Sequence, residues 1–484
     1  MFEKIQQFFL RREQTIFKGS AILVVCIFLL VSFWKIAASP ATWFDEGINM
    51  GIAKSLVTER VYSLPVAPGQ HVEQRSFLIT TNYPVLLPVA LFIKLGGASL
   101  AVARLPQIIY LGLFSLLAFT LVKKVYQNKW AALGTVALIV TFAPFYANGK
   151  AVLGEVPGLV FFLAALLVLP QTAKPRRLFL VGLLLGLSVA TKPFYLVALG
   201  AVGLSEIVFF WKEKKVLFFR VLFIALGLAP PFVGWLYSIL QSFSLGSLRT
   251  TVGFYANSYA APNPLAQVAS NALRFITEST PVHFLILFLV ASVFIYQRLI
   301  QKRGTEIELA IIFFIVVTLG WYLKTPGWYR YFFPAHVLLF LVVPAALIQA
   351  RFRTMAFIFL SSLIVVQAGH AATKVDDPLY YAPAPTSFAH LVEAQVPENA
   401  TILTINTPSI SFLLSDRPVY QFLQINPALF FGRAQLEDNR GLAYDFIITS
   451  GSTADTALEN IETVLAQQYV KIAGEDAYSL FKKK

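Results

Sequence analysis

One cysteine, Cys26, stands in 484 residues, and it lies inside an apolar run. An intrachain disulfide framework is therefore excluded. Charge is scarce as well: Asp, Glu, Lys and Arg together make up 13% of the chain. No Gly-rich phosphate loop occurs, so a nucleotide-sugar site of that type is not expected. No internal repeat or low-complexity tract is present, which removes the inverted-repeat signature of many transporters. No small-residue cleavage site follows the first apolar run, 20–38, although Arg11, Arg12 and Lys18 precede it as they would in a signal peptide. At ~19 residues that run reads as a retained first span.

What fills the chain is apolar. Hydrophobic residues are 57% of it, with 44 Phe, and the mean hydropathy is +0.68. Such a composition means a polytopic membrane protein. The net charge of +14 would suggest nucleic acid in a soluble protein, but here Lys and Arg fall in short clusters between apolar runs, and no nucleic-acid partner is expected. Eleven runs can be threaded as spans: 20–38, 101–122, 130–147, 155–170, 178–196, 196–211, 216–240, 281–297, 307–323, 331–349 and 354–372. The segment 84–96, "PVLLPVALFIKLG", is too short to cross and reads as an interfacial or re-entrant helix. With a cytoplasmic N-terminus, the clusters around Lys123, Arg176, Lys214, Lys302 and Arg351 all land on one side, as basic loops do.

The opposite face then receives 39–100, short stretches near 148–154 and 191–195, the loop 241–280, "KTPGWYRYF", and everything after 372. The tail 373–484 is more polar, with strand-like runs "ATILTIN" and "YDFIIT" and a helical pattern over 454–468, which predicts a small soluble α/β domain. The fold class expected is thus an α-helical polytopic membrane protein over 1–372 with an extracytoplasmic α/β domain behind it.

Polar residues collect on that face. Asp45 and Glu46 open an amphipathic stretch with Ile48, Ile52, Leu56 and Val57, the pattern of a surface-lying helix. Capping that helix is one role for the pair, chemistry another, and both can hold together. Glu155 begins a span, where an acid at membrane depth is costly and marks a site or a partner. Lys192 ends a span, and Arg330 sits among Trp328, Tyr329 and Tyr331; snorkelling and aromatic-belt anchoring are their alternatives. Lys94 and Arg104 fit the anchor role better than a chemical one. A carboxylate can accept the proton of an attacking hydroxyl, and Lys or Arg can hold a phosphate.

With "WFDEG", "ARLPQ" (103–107), "AVLGEVPG" (151–158), "GLLLGLSVATKP" (182–193) and "GWYRYFFPA" (327–335) in view, the chain resembles the GT-C superfamily of polyprenyl-phosphate-dependent glycosyltransferases. The nearest branch is that of aminoarabinose transferases and protein O-mannosyltransferases. The resemblance implies that Asp45 is the catalytic base and that Glu155 lines the site; Glu46 is expected in the catalytic site with them, and Lys192, Arg330 and Tyr329 are the residues expected to bind the donor phosphate. Gly47, Ile48 and Asn49 stand where the aminoarabinose transferases carry an Arg. Some relatives bind a divalent metal; His71 and His283 lie on the expected face without a recognisable ligand spacing, and a metal stays open.

The function expected is inverting transfer of a sugar from a polyprenyl-phosphate donor to a lipid, glycan or protein acceptor, at the outer face of a plasma (inner) membrane. The rival class is a transporter or flippase of lipid-linked glycans, which needs charges buried mid-span; Glu206 is its main candidate.

Overall fold

Inside a bilayer the backbone has no water to bond, so each apolar run must close its hydrogen bonds internally. The computed structural model describes residues 2–42, 44–72, 80–169, 174–240, 246, 249, 253, 263–350, 353–374, 384–426, 429–431, 444–450, 459–475 and 477–484. In it α1 (Phe2–Phe33) leads to α2 (Phe44–Thr58), a small antiparallel hairpin of β1 (Pro65–Ala67) and β2 (Gln70–His71), and α3 (Tyr83–Gly96). Next come α4 (Leu100–Tyr126), α5 (Lys129–Val140), α6 (Ala143–Gly149), α7 (Glu155–Val168), α8 (Pro175–Thr191), α9 (Leu196–Phe210) and α10 (Lys214–Ile239). Then follow α11 (Pro264–Thr277), α12 (Ser279–Ile300), α13 (Glu306–Lys324), α14 (Tyr329–Leu339), α15 (Val343–Ile348) and α16 (Arg353–Lys374).

The protein is a multi-pass membrane protein. Each of the eleven threaded runs holds helix, but by length the count is smaller. Among the described residues eight helical segments are long and apolar enough to cross, and α5 with α6, bent by 66°, makes a ninth. α7, with 14 residues, and α8, with 17, fall short of a full span. α3 is a 14-residue helix, as its length foretold. It buries Val85, Leu86, Val89 and Ile93 and turns Leu87, Leu91 and Leu95 outward at four-residue spacing, the stripe of a helix that lies against lipid on one side.

Close helix contact comes from glycine. A Cβ on Gly182 of α8 would lie 1.9 Å from the Ile224 carbonyl oxygen of α10, and one on Gly227 of α10 would lie 1.9 Å from that of Phe179. Bare backbone faces bare backbone, which is how membrane helices approach without a hydrophobic driving force between them. The α2 expectation needs correction. Rather than lying with one face in the interface, α2 is covered all round: Ile48, Met50, Ile52, Ala53, Lys54 and Ser55 are all buried. The cover comes from α3, from the β1 hairpin and from the C-terminal region.

That region contains α17 (Ala384–Gln395), β3 (Ile402–Ile405), α18 (Pro408–Leu413), β4 (Val419–Asn426), β5 (Leu429–Phe431), β6 (Phe446–Ser450), α19 (Glu459–Gln468), β7 (Tyr469–Glu475) and β8 (Tyr478–Lys483). The sheet order is β5-β4-β3-β6-β8-β7, with β4, β3 and β6 parallel and the outer pairings antiparallel. Strand alternation sorts its core: Ile402, Ile448 and Leu480 pack with α17 through Phe388 and Val392, while Leu403, Ile405 and Ile447 face α19 through Leu465. "ATILTIN" is β3 and "YDFIIT" is β6. The expected helix is observed from Glu459, residues 454–458 lying outside the described ones.

Candidate active site

Four separate segments deliver the site. α2 begins at Phe44, so Asp45 and Glu46 occupy its first turn, where negative charge meets the positive end of the helix dipole. Lys192 follows the last residue of α8 in extended geometry (φ −161°, ψ 130°). Pro193 requires this, since a residue before proline is pushed out of the helical region. Glu155 opens α7, and Gly154 lets it do so against α8: a Cβ there would sit 2.9 Å from the Thr191 carbonyl oxygen. Arg330 enters through α14, whose preceding loop is clamped by α11. Asn271 of α11 donates to the carbonyls of Tyr322, Leu323 and Thr325, and Arg274 donates to that of Gly327. Gly327 has φ +74°, a left-handed conformation that suits glycine.

The side chains meet as two ion pairs on one aromatic ring. Arg330 Nη1 donates to Asp45 Oδ2 at 2.8 Å, across 285 residues of sequence. Lys192 Nζ donates to Glu155 Oε1. The Arg330 guanidinium lies 5.1 Å from the Tyr331 ring centre and the Lys192 ammonium 5.6 Å from it, both within cation–π range. Trp328 adds a second ring 5.5 Å from Arg330. Burial is graded: the side chains of Glu155, Lys192 and Arg330 are 3%, 8% and 11% exposed, and that of Asp45 is 26% exposed. Asp45 is the more open of the two paired acids. Glu155 Oε2 is buried with no hydrogen-bond partner among the described residues.

Glu46 is placed differently. Its two oxygens take a bidentate pair from Arg104, at 2.8 Å each, and Oε1 also accepts from the Val152 N–H at 3.0 Å. Both side chains are fully buried. The anchor role expected of Arg104 is therefore corrected: it ties α4 to α2, and it also donates to the Ile36 carbonyl at 2.9 Å. Lys94, in contrast, is exposed on α3. Gly47, where an Arg was missing, is a contact point: a Cβ there would lie 2.5 Å from the Ser409 backbone nitrogen. A bulkier residue at 47 would push the C-terminal region off α2.

The comparisons agree with this architecture. A family model described as dolichyl-phosphate-mannose-protein mannosyltransferase matches residues 85–235. ArnT from Cupriavidus metallidurans, in a structure bound to undecaprenyl phosphate, is similar with a TM-score of 0.63 at 12% identity, over 96% of this chain and 98% of that one. The archaeal oligosaccharyltransferase AglB from Archaeoglobus fulgidus, in complex with an inhibitory peptide and a dolichol-phosphate, is similar with a TM-score of 0.57 at 11% identity, over 91% of this chain and 70% of that one. No curated protein sequence matches the chain. The fold is that of the GT-C glycosyltransferases.

Within this GT-C fold, three features escaped the sequence. Lys150, buried, donates to the Trp34 and Val31 carbonyls and so caps the C-terminal end of α1. Tyr329 reaches away from Arg330 into a buried chain, its hydroxyl 2.9 Å from His336 Nδ1, with His336 Nε2 2.9 Å from His283 Nδ1. Glu206 is not alone in the membrane: it shares Arg220 with Glu306, at 2.7 and 2.9 Å. Among the described residues no three His, Cys, Asp or Glu side chains gather as metal ligands. His71 bonds Ser55 and Glu59 instead.

Proposed function

We propose that the protein is an inverting glycosyltransferase that moves a sugar from a polyprenyl-phosphate donor to an acceptor hydroxyl on the extracytoplasmic face. The observation that carries this reading is the pair of cations, Lys192 and Arg330, held on the Tyr331 ring beside Asp45. Two buried cations converging on one spot suit a phosphate, and charge-assisted bonds to phosphate oxygens are the strong kind. The ArnT structure holds undecaprenyl phosphate and the AglB structure a dolichol-phosphate, each a lipid phosphate of the kind such a donor would release.

The chemistry in this reading is a single displacement. The acceptor oxygen attacks the anomeric carbon from the face opposite the phosphate, and its proton passes to Asp45, the most accessible of the four charged groups. The bond between the anomeric carbon and the phosphate oxygen breaks, and the polyprenyl phosphate leaves with the electron pair. Lys192 and Arg330 stabilise the charge that develops there. One displacement inverts the anomeric centre. Glu155 keeps Lys192 in place. Glu46 acts through Arg104, as the positioning residue that fixes the first turn of α2. Tyr329, expected at the phosphate, has its hydroxyl on His336 instead and is given no part in the step.

The test is to incubate purified protein with a panel of polyprenyl-phosphate sugars and follow release of polyprenyl phosphate. Lys192→Ala and Arg330→Ala should each lower donor use about tenfold or more, since a charged hydrogen bond contributes roughly 1.5–3 kcal/mol. Lys94→Ala should leave it unchanged. Equal small losses at all three positions would reduce the cations to interfacial anchors and remove the basis of the reading.

A further inference from the structure

α14 carries Arg330 and Tyr331, and its first turn is short of a helical bond. Pro334 lies inside the helix. Proline has no N–H, so the carbonyl of Arg330, four residues earlier, receives no helical hydrogen bond from it. Side chains hold that turn instead. Tyr329 stands one residue before Arg330, and its hydroxyl lies 2.9 Å from His336 Nδ1. His336 Nε2 lies 2.9 Å from His283 Nδ1 on α12. One proton per contact satisfies this chain: the Tyr329 hydroxyl donates to His336 Nδ1, and His336 Nε2–H donates to His283 Nδ1. His336 is fully buried, with the rings of Phe142, Phe284 and Phe340 centred 4.8, 5.6 and 5.7 Å from its own. In such surroundings a hydrogen bond is strong, and breaking it is costly.

Direction matters as much as strength. At about 100° per residue, Tyr329 and His336, seven positions apart, share one face of α14, and Arg330 stands about 100° round from it. On that second face Arg330 Nη1 donates to Asp45 Oδ2 at 2.8 Å. Pinning the first face to α12 therefore fixes the direction of the second. Side chains reach about 5–6 Å from a helix axis, so a rotation of about 20° would carry the guanidinium roughly 2 Å. A shift of that size breaks a hydrogen bond.

We infer that Tyr329, His336 and His283 are positioning residues, a clamp that sets the rotation of α14 and so holds Arg330 where a lipid phosphate meets it. None of the three touches the reacting atoms; they act through Arg330. This deepens the transferase reading and rests on it for the phosphate, whereas the clamp itself can be measured with no lipid present.

The experiment uses the full-length protein in nanodiscs and reads amide hydrogen exchange over 330–333 together with affinity for undecaprenyl phosphate. Tyr329→Phe, which removes only the hydroxyl, and His283→Leu should each speed that exchange and weaken the lipid about fivefold, the factor one ordinary hydrogen bond is worth. His283→Asn, whose amide oxygen can accept in place of Nδ1, should keep both near the parent. In an Arg330→Ala background, Tyr329→Phe should cost no further affinity, because residues that act through one group are not additive. Should His283→Leu fail to fold, Tyr329→Phe decides alone. Unchanged exchange in Tyr329→Phe refutes the clamp. So does a full further loss in the Arg330→Ala background, which would put the Tyr329 hydroxyl on the phosphate itself. A parent protein that binds no undecaprenyl phosphate, while exchange responds as expected, would instead refute the transferase reading and keep the clamp.

Discussion

Adjacent acids in one helical turn have opposite fates here. Asp45 reaches a partly open site with Arg330, while Glu46 is sealed with Arg104. Neighbouring residues on a helix point about 100° apart, so one turn can serve both purposes. Their amides should therefore separate rate from stability. Asp45→Asn keeps a good capping residue but cannot take a proton, so transfer should fall roughly 10²–10⁴-fold with the fold intact. Glu46→Gln leaves Arg104 with a buried, uncompensated charge, a loss on the order of 3 kcal/mol. It should melt well below the parent in detergent. Measuring transfer and melting for both variants decides the matter; a stable Asp45→Asn protein with normal transfer would leave the pair to structure alone.

At the scale of elements, the glycines of α8 and α10 set how closely those two helices cross. Gly182→Ala would place a methyl 1.9 Å from the Ile224 carbonyl oxygen, and overpacking of this kind costs roughly 1–3 kcal/mol. Gly200 of α9 has open space around its Cβ direction; Gly200→Ala should gain about 0.5–1 kcal/mol, because helix-interior glycine is disfavoured. Opposite shifts in detergent melting temperature are the expected result, and equal shifts would mean that the helix crossing is looser than described. Helices were legible in the sequence because apolar length is a local property. The short α3, the strands β3 and β6 and the collecting of Asp45, Glu155, Lys192 and Arg330 on one site came from the same reading. Which acid takes which base was not legible. Asp45 with Arg330 and Glu46 with Arg104 join residues 285 and 58 positions apart, and no periodicity records such a pairing. α2 misled for a related reason: its apolar stripe was visible, but the partners that cover its other faces lie far along the chain.

For the whole molecule, sidedness is the property everything else depends on. In the proposed topology the site and the C-terminal region share one face, and the basic loops lie on the other. In a Cys26→Ser background, a cysteine at Ser415 should react with an impermeant thiol reagent applied from outside, and one at Gln127 should react only after the membrane is opened. Labelling of position 127 from outside would place the site in the cytoplasm and exclude a donor flipped to the outer leaflet.

The helix α2 carries Asp45 at one end, touches Ser409 through Gly47, and is bound to the C-terminal region by Lys54 and Asp416. Thermodynamic linkage gives that arrangement a two-way consequence. If docking of the C-terminal region on α2 moves the Asp45 end, a ligand that shifts the docking alters affinity at that end, and a donor there alters the docking by the same factor. Amide hydrogen exchange in 408–421 should then respond to a lipid phosphate that never touches it.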